Sequence, residues 1–336
     1  MQAAYYLGNK SFQLREGEAI LPQEGEVQLK VAYCGVCGTD VHIYHGAMDK
    51  RVRIPQVIGH EVSATVSAVG PGVSGIEVGD QVAVRPLQRG AVDPSDNEQH
   101  HIGKNLKFIG IDTAGGMQSY WNVPAYTLHK LPENLSLEHG ALIEPLAVAC
   151  HDVRLSQLKT GEKAVVIGGG PIGMLVAMVA KHHGAQVLIS EVNEHRLELA
   201  KTMDFEIVNP AKESLEEKVH TFTSGAMADV AFEVSGSQAG VDAMTQVLRA
   251  RGRAVMVAIH PQPRQVDLFR FFWRELQLIG VRVYEAEDFE EAIQLAASGK
   301  LELEKLITQV SPLADVQKVF EAIDSNPAGM KYLLQI

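Results

Sequence analysis

Hydrophobic positions follow two rhythms along the chain, and the rhythm changes near residue 160. Up to about 130, short β-branched runs such as "EVQLKVAY", "EVSATVSAVG" and "DQVAVRP" are punctuated by glycine and proline. Alternation of that kind predicts an antiparallel barrel or sandwich. Beyond 160 the apolar runs become continuous, in "KAVVIG", "AQVLIS", "ADVAFEV" and "RAVMVAI", and helical stretches such as "PIGMLVAMVAKHH" and "EHRLELAKTM" separate them. Strands without a polar face, alternating with helices, predict a parallel sheet covered on both sides. A further strand, "LQLIGVRV", is followed by two amphipathic helices, "EDFEEAIQLAAS" and "ADVQKVFEAIDS", and by a last strand, "KYLLQI". These final elements are expected to fold back onto the first domain.

Size and composition narrow the picture. A chain of 336 residues holds about two domains at roughly 150 residues each. A net charge of -11 repels nucleic acid and anionic lipid and favours a small-molecule role. The start, "MQAAYYLGNK", lacks a basic segment before an apolar core, and the longest uncharged run, Ala164 to Ala180, is broken by "GGGP" and short for a bilayer span. The three cysteines, Cys34, Cys37 and Cys150, make a disulfide framework improbable. A cytoplasmic protein with reduced thiols is expected.

Between the first apolar strand and its helix, "VVIGGGPIGMLVA" sets Gly168, Gly170 and Gly173 at the spacing of a dinucleotide fingerprint, with Pro171 and Ile172 opening the helix. Gly168 permits the tight turn, Gly170 lets backbone approach a pyrophosphate, and Gly173 lets helix and strand pack closely. Free N–H groups at the helix start meet the phosphate charge. Glu191, at the end of the next strand, can accept from both ribose hydroxyls and so favours NAD. A 2′-phosphate roughly 4 Å from that carboxylate costs about 4 kcal/mol at an effective dielectric near 20, which disfavours NADP unless Arg196 turns inward to offset it.

A second constellation lies in "CGVCGTDVHIYHG", residues 34 to 46. Its C-x-x-C suits a redox pair or half of a zinc knuckle, but the flank is β-rich and no second C-x-x-C exists. His60 and Glu61 in "VIGHEVSATV" and Glu144 in "GALIEPLAVACHDV" supply further donors. Thiolate, imidazole and carboxylate together suit a borderline ion such as zinc. Cys34 and Cys150 read as packed thiols and His45 as a surface side chain.

With "GHE" at 59–61, "VGDQVAV" at 78–84, "IEPLAV" at 143–148 and the glycine fingerprint in the same order, the whole chain resembles the zinc-dependent medium-chain dehydrogenases. The similarity is strongest to the branch of sorbitol, butanediol and threonine dehydrogenases. The resemblance implies a GroES-like β-barrel catalytic domain at 1–148, completed by 287–336, and a Rossmann doubly wound parallel-sheet domain for NAD at 149–286. It implies one catalytic zinc per chain on Cys37 and His60, with Glu61 and Glu144 as carboxylates that bind zinc or exchange with water; one of the two must stand off to leave a position open. Thr39 matches the residue that bonds the substrate oxygen and passes its proton towards the cofactor ribose and His42. Asp40 matches a residue that orients the loop or a ligand histidine. Tyr284 falls in a segment that lines the polyol pocket of relatives, though the neighbouring basic residue is displaced to Arg282. The structural zinc of many relatives needs four cysteines, and the matching segment, Gln88 to Gly103, has none.

The expected chemistry is reversible oxidation of a secondary alcohol, a polyol, sugar alcohol or cyclitol, to a ketone with hydride transfer to NAD. Threonine 3-dehydrogenase or 2,3-butanediol dehydrogenase activity is the alternative within the family. A non-catalytic nucleotide-binding regulator and a zinc-free quinone reductase are the rivals outside it. The strand "LQLIGVRV" at an open sheet edge points to a homodimer, alone or doubled into a tetramer.

Overall fold

The computed structural model describes the whole chain, Met1–Ile336, as two compact units, 1–144 with 285–336 and 145–284. The first unit opens with a hairpin of β1 (Gln2–Tyr6) and β2 (Phe12–Glu16). Next come β3 (Glu26–Val36), a short helix α1 (Gly38–Tyr44), β4 (Gln56–Val57), β5 (Glu61–Val69) and β6 (Gln81–Val84). After β7 (Leu87–Gln88), β8 (Lys107–Phe108), β9 (Tyr120–Pro124) and β10 (Leu128–Lys130), the short α2 (Leu137–Gly140) precedes α3 (Ile143–Leu155). The residue range 88–103 is a largely exposed loop organised by its own carboxylates: Asp93 caps one tight turn, and Asp96 accepts from the Lys104 backbone.

The second unit alternates β11 (Lys163–Ile167), α4 (Pro171–His182), β12 (Gln186–Ser190), α5 (Glu194–Thr202), β13 (Glu206–Val208) and α6 (Leu215–Phe222). It continues with β14 (Ala228–Glu233), α7 (Gln238–Gln246), β15 (Leu248–Met256), α8 (Leu268–Arg274) and β16 (Gln277–Gly280). The six strands are parallel in the order β13-β12-β11-β14-β15-β16, so the winding reverses between β11 and β14. Val165, Val166, Leu188, Ile189 and Phe232 are all fully buried, which is why these strands lack alternation. The expected strand "LQLIGVRV" stops early, at Gly280; Val283 takes φ +51°, a conformation no ladder accommodates.

The chain then returns to the first unit as α9 (Ala286–Ala297), β17 (Ile307–Pro312), α10 (Val316–Ser325) and β18 (Lys331–Gln335). β18 lies antiparallel to β3, with Leu334 opposite Cys34, and completes the sheet β10-β6-β5-β3-β18-β17. The last six residues thereby carry Lys331 to the end of β3, where Cys37 follows.

Candidate active site

Cys37 ends the β3 segment and begins α1, a seven-residue helix that the sequence, rich in cysteine and glycine there, does not advertise. Its backbone N–H donates to Asp40 Oδ2 at 2.9 Å, which fixes the turn. Asp40 is fully buried, and its other oxygen lies 3.6 Å from His60 Nδ1. With Nδ1 facing Asp40, Nε2 is the nitrogen left for an ion. One donor atom each from Cys37, His60 and Glu61 falls within 4.8 Å of the others. Zinc bonds of about 2.0 to 2.3 Å can bridge such separations, so the donor set fits that ion. His60 Nδ1 and Asp40 Oδ1 have no hydrogen-bond partner, although both are buried. Buried polar atoms of this kind are rare unless a bound group organises them.

Glu61 heads β5 opposite Gly35, whose missing side chain is required: a Cβ there would stand 2.2 Å from Glu61 Oε2. The carboxylate is gripped by Lys331, with Nζ 2.6 and 2.7 Å from its two oxygens, and both side chains are buried. Lys331 is the residue the sequence gives no reason to select. Burial disfavours its charge, but Glu61, Cys37 and Glu144 outweigh that, and its pKa is raised. His60 behaves alike: burial opposes protonation, yet Asp40 and Cys37 hold its pKa well above the ordinary value. Neighbours that raise the pKa of two buried bases against the effect of burial mark a locus of negative potential suited to a divalent cation. Cys34 is fully buried beside it, and burial followed by the charges of Asp40 and Glu61 pushes its thiol well up, as befits a packed neutral group. Gly59 at φ +97° makes room for it, since a Cβ there would lie 2.6 Å from the sulfur.

The other expected residues of this unit distribute as follows. Glu144 is buried in the first turn of α3, outside the three-donor cluster, though its charge reaches Lys331. Thr39 is half-buried and His42 exposed, three positions apart and so on one side of α1. His45 is exposed and bonded to Asp324 at 2.8 Å. Tyr284, expected to line a substrate pocket, is 0% exposed at the end of the second unit.

In the second unit the glycine turn has the form its spacing implies. Gly168 has φ +108°, and a Cβ there would meet the Ser235 backbone N at 2.9 Å; one on Gly173 would lie 1.9 Å from Gly168 O. No side chain caps α4, which begins at Pro171 and Ile172, and Gly170 has no backbone within 4 Å of a notional Cβ. A Cβ on Gly170 would meet only Arg196 Nη1, at 3.5 Å, and no capping side chain occupies the helix start. Glu191 accepts from Gly169 N at 2.8 Å on Oε2 and from Val192 N and Asn193 N at 2.7 and 2.9 Å on Oε1. Three backbone donors fix the carboxylate, and Oε2, with only one of them, keeps acceptor capacity. Arg196 Nη1 stands 3.8 Å from Glu191.

Residues 23–133 match the alcohol dehydrogenase GroES-like domain and 171–298 the zinc-binding dehydrogenase family. The chain is 56% identical to 2-dehydro-3-deoxy-L-galactonate 5-dehydrogenase of Pseudoalteromonas atlantica, over 100% of its length and 98% of the relative's. It belongs to the zinc-binding dehydrogenases. This dehydrogenase is also 34% identical to L-threonine 3-dehydrogenase of Pyrococcus horikoshii, covering 94% of the chain and 93% of that protein. Its fold superposes on 2R,3R-butanediol dehydrogenase from Bacillus subtilis with a TM-score of 0.92 at 31% identity, covering 100% and 99% of the two chains. The family is that of zinc-type alcohol dehydrogenases, and the chain is an oxidoreductase acting on secondary alcohols.

Proposed function

We propose that this dehydrogenase oxidises a secondary hydroxyl of a polyhydroxy acid to a ketone, reversibly, with NAD as hydride acceptor and one zinc held by Cys37, His60 and Glu61. The convergence of three dissimilar donors within 4.8 Å carries the reading. The 56% identity to a sugar-acid dehydrogenase favours an acid over the neutral polyol that the sequence motifs suggest. A bound zinc supplies Lewis acidity that lowers the pKa of a substrate hydroxyl towards neutrality. NAD, held at the glycine turn, would supply the acceptor for the carbon-bound hydrogen and its electron pair.

The chain's own residues do the rest. Asp40 holds the Cys37 turn and orients His60, and Lys331 offsets the charge of Glu61; three protein donors leave a fourth position open for substrate. Thr39 takes the substrate's hydroxyl proton as it gives up its own, by way of the cofactor ribose, to His42, which releases a proton to solvent, Glu144 remaining in reserve behind Lys331. The helix start at Gly170, Pro171, Ile172 and Gly173 takes the pyrophosphate. The Glu191 carboxylate, fixed beside Arg196, accepts from a ribose hydroxyl and repels a 2′-phosphate, which selects NAD over NADP. Two copies pair through the β16 edge.

Metal analysis together with a substrate screen tests the proposal. About one zinc per chain is expected, and Cys37→Ser loses both metal and turnover while NAD binding persists. Among 2-dehydro-3-deoxy-L-galactonate, sorbitol, 2,3-butanediol and L-threonine, the first is expected to give the highest kcat/KM, with NAD preferred to NADP. Turnover confined to threonine, or a metal-free active enzyme, refutes it.

A further inference from the structure

A metal-binding histidine is usually fixed by a hydrogen bond from the ring nitrogen that faces away from the ion. His60 has none: Asp40 Oδ1 stands 3.6 Å from Nδ1, beyond hydrogen-bond length, and Nδ1 has no other partner. Charge draws the ring towards Asp40, but a contact of that length does not set its plane. Packing supplies the constraint. The Phe108 ring stands perpendicular to the imidazole, at 88°, with centroids 5.2 Å apart, and both side chains are buried. The same turn closes on the histidine again at Gly110, where a Cβ would lie 2.4 Å from Gly59 O and 3.1 Å from His60 Cβ.

What holds this turn lies away from the three metal donors. Asp112 N donates to Phe108 O at 2.8 Å, and Asp112 Oδ2 accepts from Phe108 N at 2.7 Å, so the aspartate engages both backbone groups of the phenylalanine. Its carboxylate also receives Arg51, Nε on Oδ1 and Nη2 on Oδ2, each at 2.7 Å. Two parallel bonds of this kind fix direction as well as charge. From β4 the buried Gln56 adds Nε2 bonds to Ile111 O and Thr113 O at 2.8 and 3.2 Å. Every residue of this chain of contacts belongs to the first unit, as His60 does.

We propose that Arg51 and Asp112 are positioning residues for the metal-binding imidazole: their ion pair holds the 108–113 turn, and the turn holds the Phe108 ring against His60. This deepens the proposed function and rests on its assignment of His60 to the zinc. The pair touches neither metal nor substrate, and it acts only through the ring that it keeps in place.

Zinc affinity by chelator competition, and the visible absorption of the cobalt(II)-loaded protein, test this without turnover. Asp80 is the control, since it accepts from Lys130 Nζ at 2.7 Å and from Glu77 N at 2.8 Å, the same two kinds of partner, at 23% side-chain exposure against 21% for Asp112, and bonds nothing in the 108–113 turn. Asp112→Asn should weaken zinc binding about 10-fold, the lower end of the range for groups that orient a metal ligand, and should shift the cobalt bands. Arg51→Gln should act in the same direction and Arg51→Lys less, because lysine keeps the charge and loses the fork. Phe108→Leu should reproduce the change, and joining it to Asp112→Asn should add little, since both act through one contact. Asp80→Asn should lower the melting temperature by a similar amount and leave both metal readouts as in the wild type. Metal readouts in Asp112→Asn no different from those of Asp80→Asn overturn the proposal, as do fully additive losses with Phe108→Leu. Zinc bound as tightly by His60→Ala as by the wild type instead defeats the metal assignment itself, and the positioning role with it.

Discussion

The Glu61–Lys331 pair sets the sharpest expectation at the residue scale. Both groups are buried and each satisfies the other, so removal of one leaves a charge with no compensation. Lys331→Met should therefore destabilise the metal-stripped protein by about 3–5 kcal/mol, whereas the double change Glu61→Gln with Lys331→Met should recover most of that loss. Equilibrium unfolding in urea of the four proteins closes the cycle, and additive losses in the double variant would show that the pair is not coupled. This pair also marks where sequence reading runs out. His60 and Glu61 are adjacent and their motif is recognisable, but Lys331 is 270 positions from its partner, and only the pairing of β18 with β3 brings it there.

At the scale of elements, periodicity carried most of the information. The parallel strands and α4 are apolar through and through, and α9 and α10 are amphipathic, so composition and spacing marked them. The β1–β2 hairpin and α1 are short, and their local preferences are overridden by packing or by the Asp40 cap; no window of sequence is long enough to show them. A tie that joins two elements of the first unit gives a pH prediction. His129 of β10 donates through Nδ1 to Glu290 of α9 at 2.5 Å, and its Nε2 accepts from Arg85 at 3.1 Å. Burial first, and then the charge of Arg85, lower its pKa against the opposing pull of Glu290. The imidazole is thus neutral in the fold and takes up a proton more readily when unfolded. Its stabilising contribution is complete above an unfolded pKa of about 6.5 and is lost as pH falls from there towards the lower folded value. Protonation would set an N–H against the Arg85 guanidinium. Urea midpoints between about pH 7 and 5 should fall less steeply for His129→Gln than for the wild type. Parallel slopes would remove His129 from the account.

At the scale of the whole molecule, the second unit presents an exposed apolar face. On α8, Leu268, Phe269, Phe272 and Trp273 are 72%, 66%, 78% and 68% exposed, and Leu278 on the adjoining edge strand β16 is 50% exposed. Apolar patches of this kind are rarely left in water on a soluble monomer, and an edge strand with free N–H and C=O groups is a template for pairing. The sequence marked the edge strand as a hazard; the aromatic helix that precedes it, too short to show a clear period, adds further exposed apolar side chains. The net charge of -11 opposes indiscriminate association, so any self-association would draw on a local face such as this one. A two-fold axis across β16 satisfies both features at once, because an isologous contact extends the sheet of one copy into that of the other and sets each α8 beside the join. Light scattering during size exclusion should therefore give at least the mass of a dimer for the wild type. Leu278→Lys with Phe272→Glu should shift the protein to monomer at micromolar concentration, since a charge would then face its own copy across the axis. An unchanged mass for that double variant would place the interface elsewhere and leave the exposed aromatics of α8 to another partner.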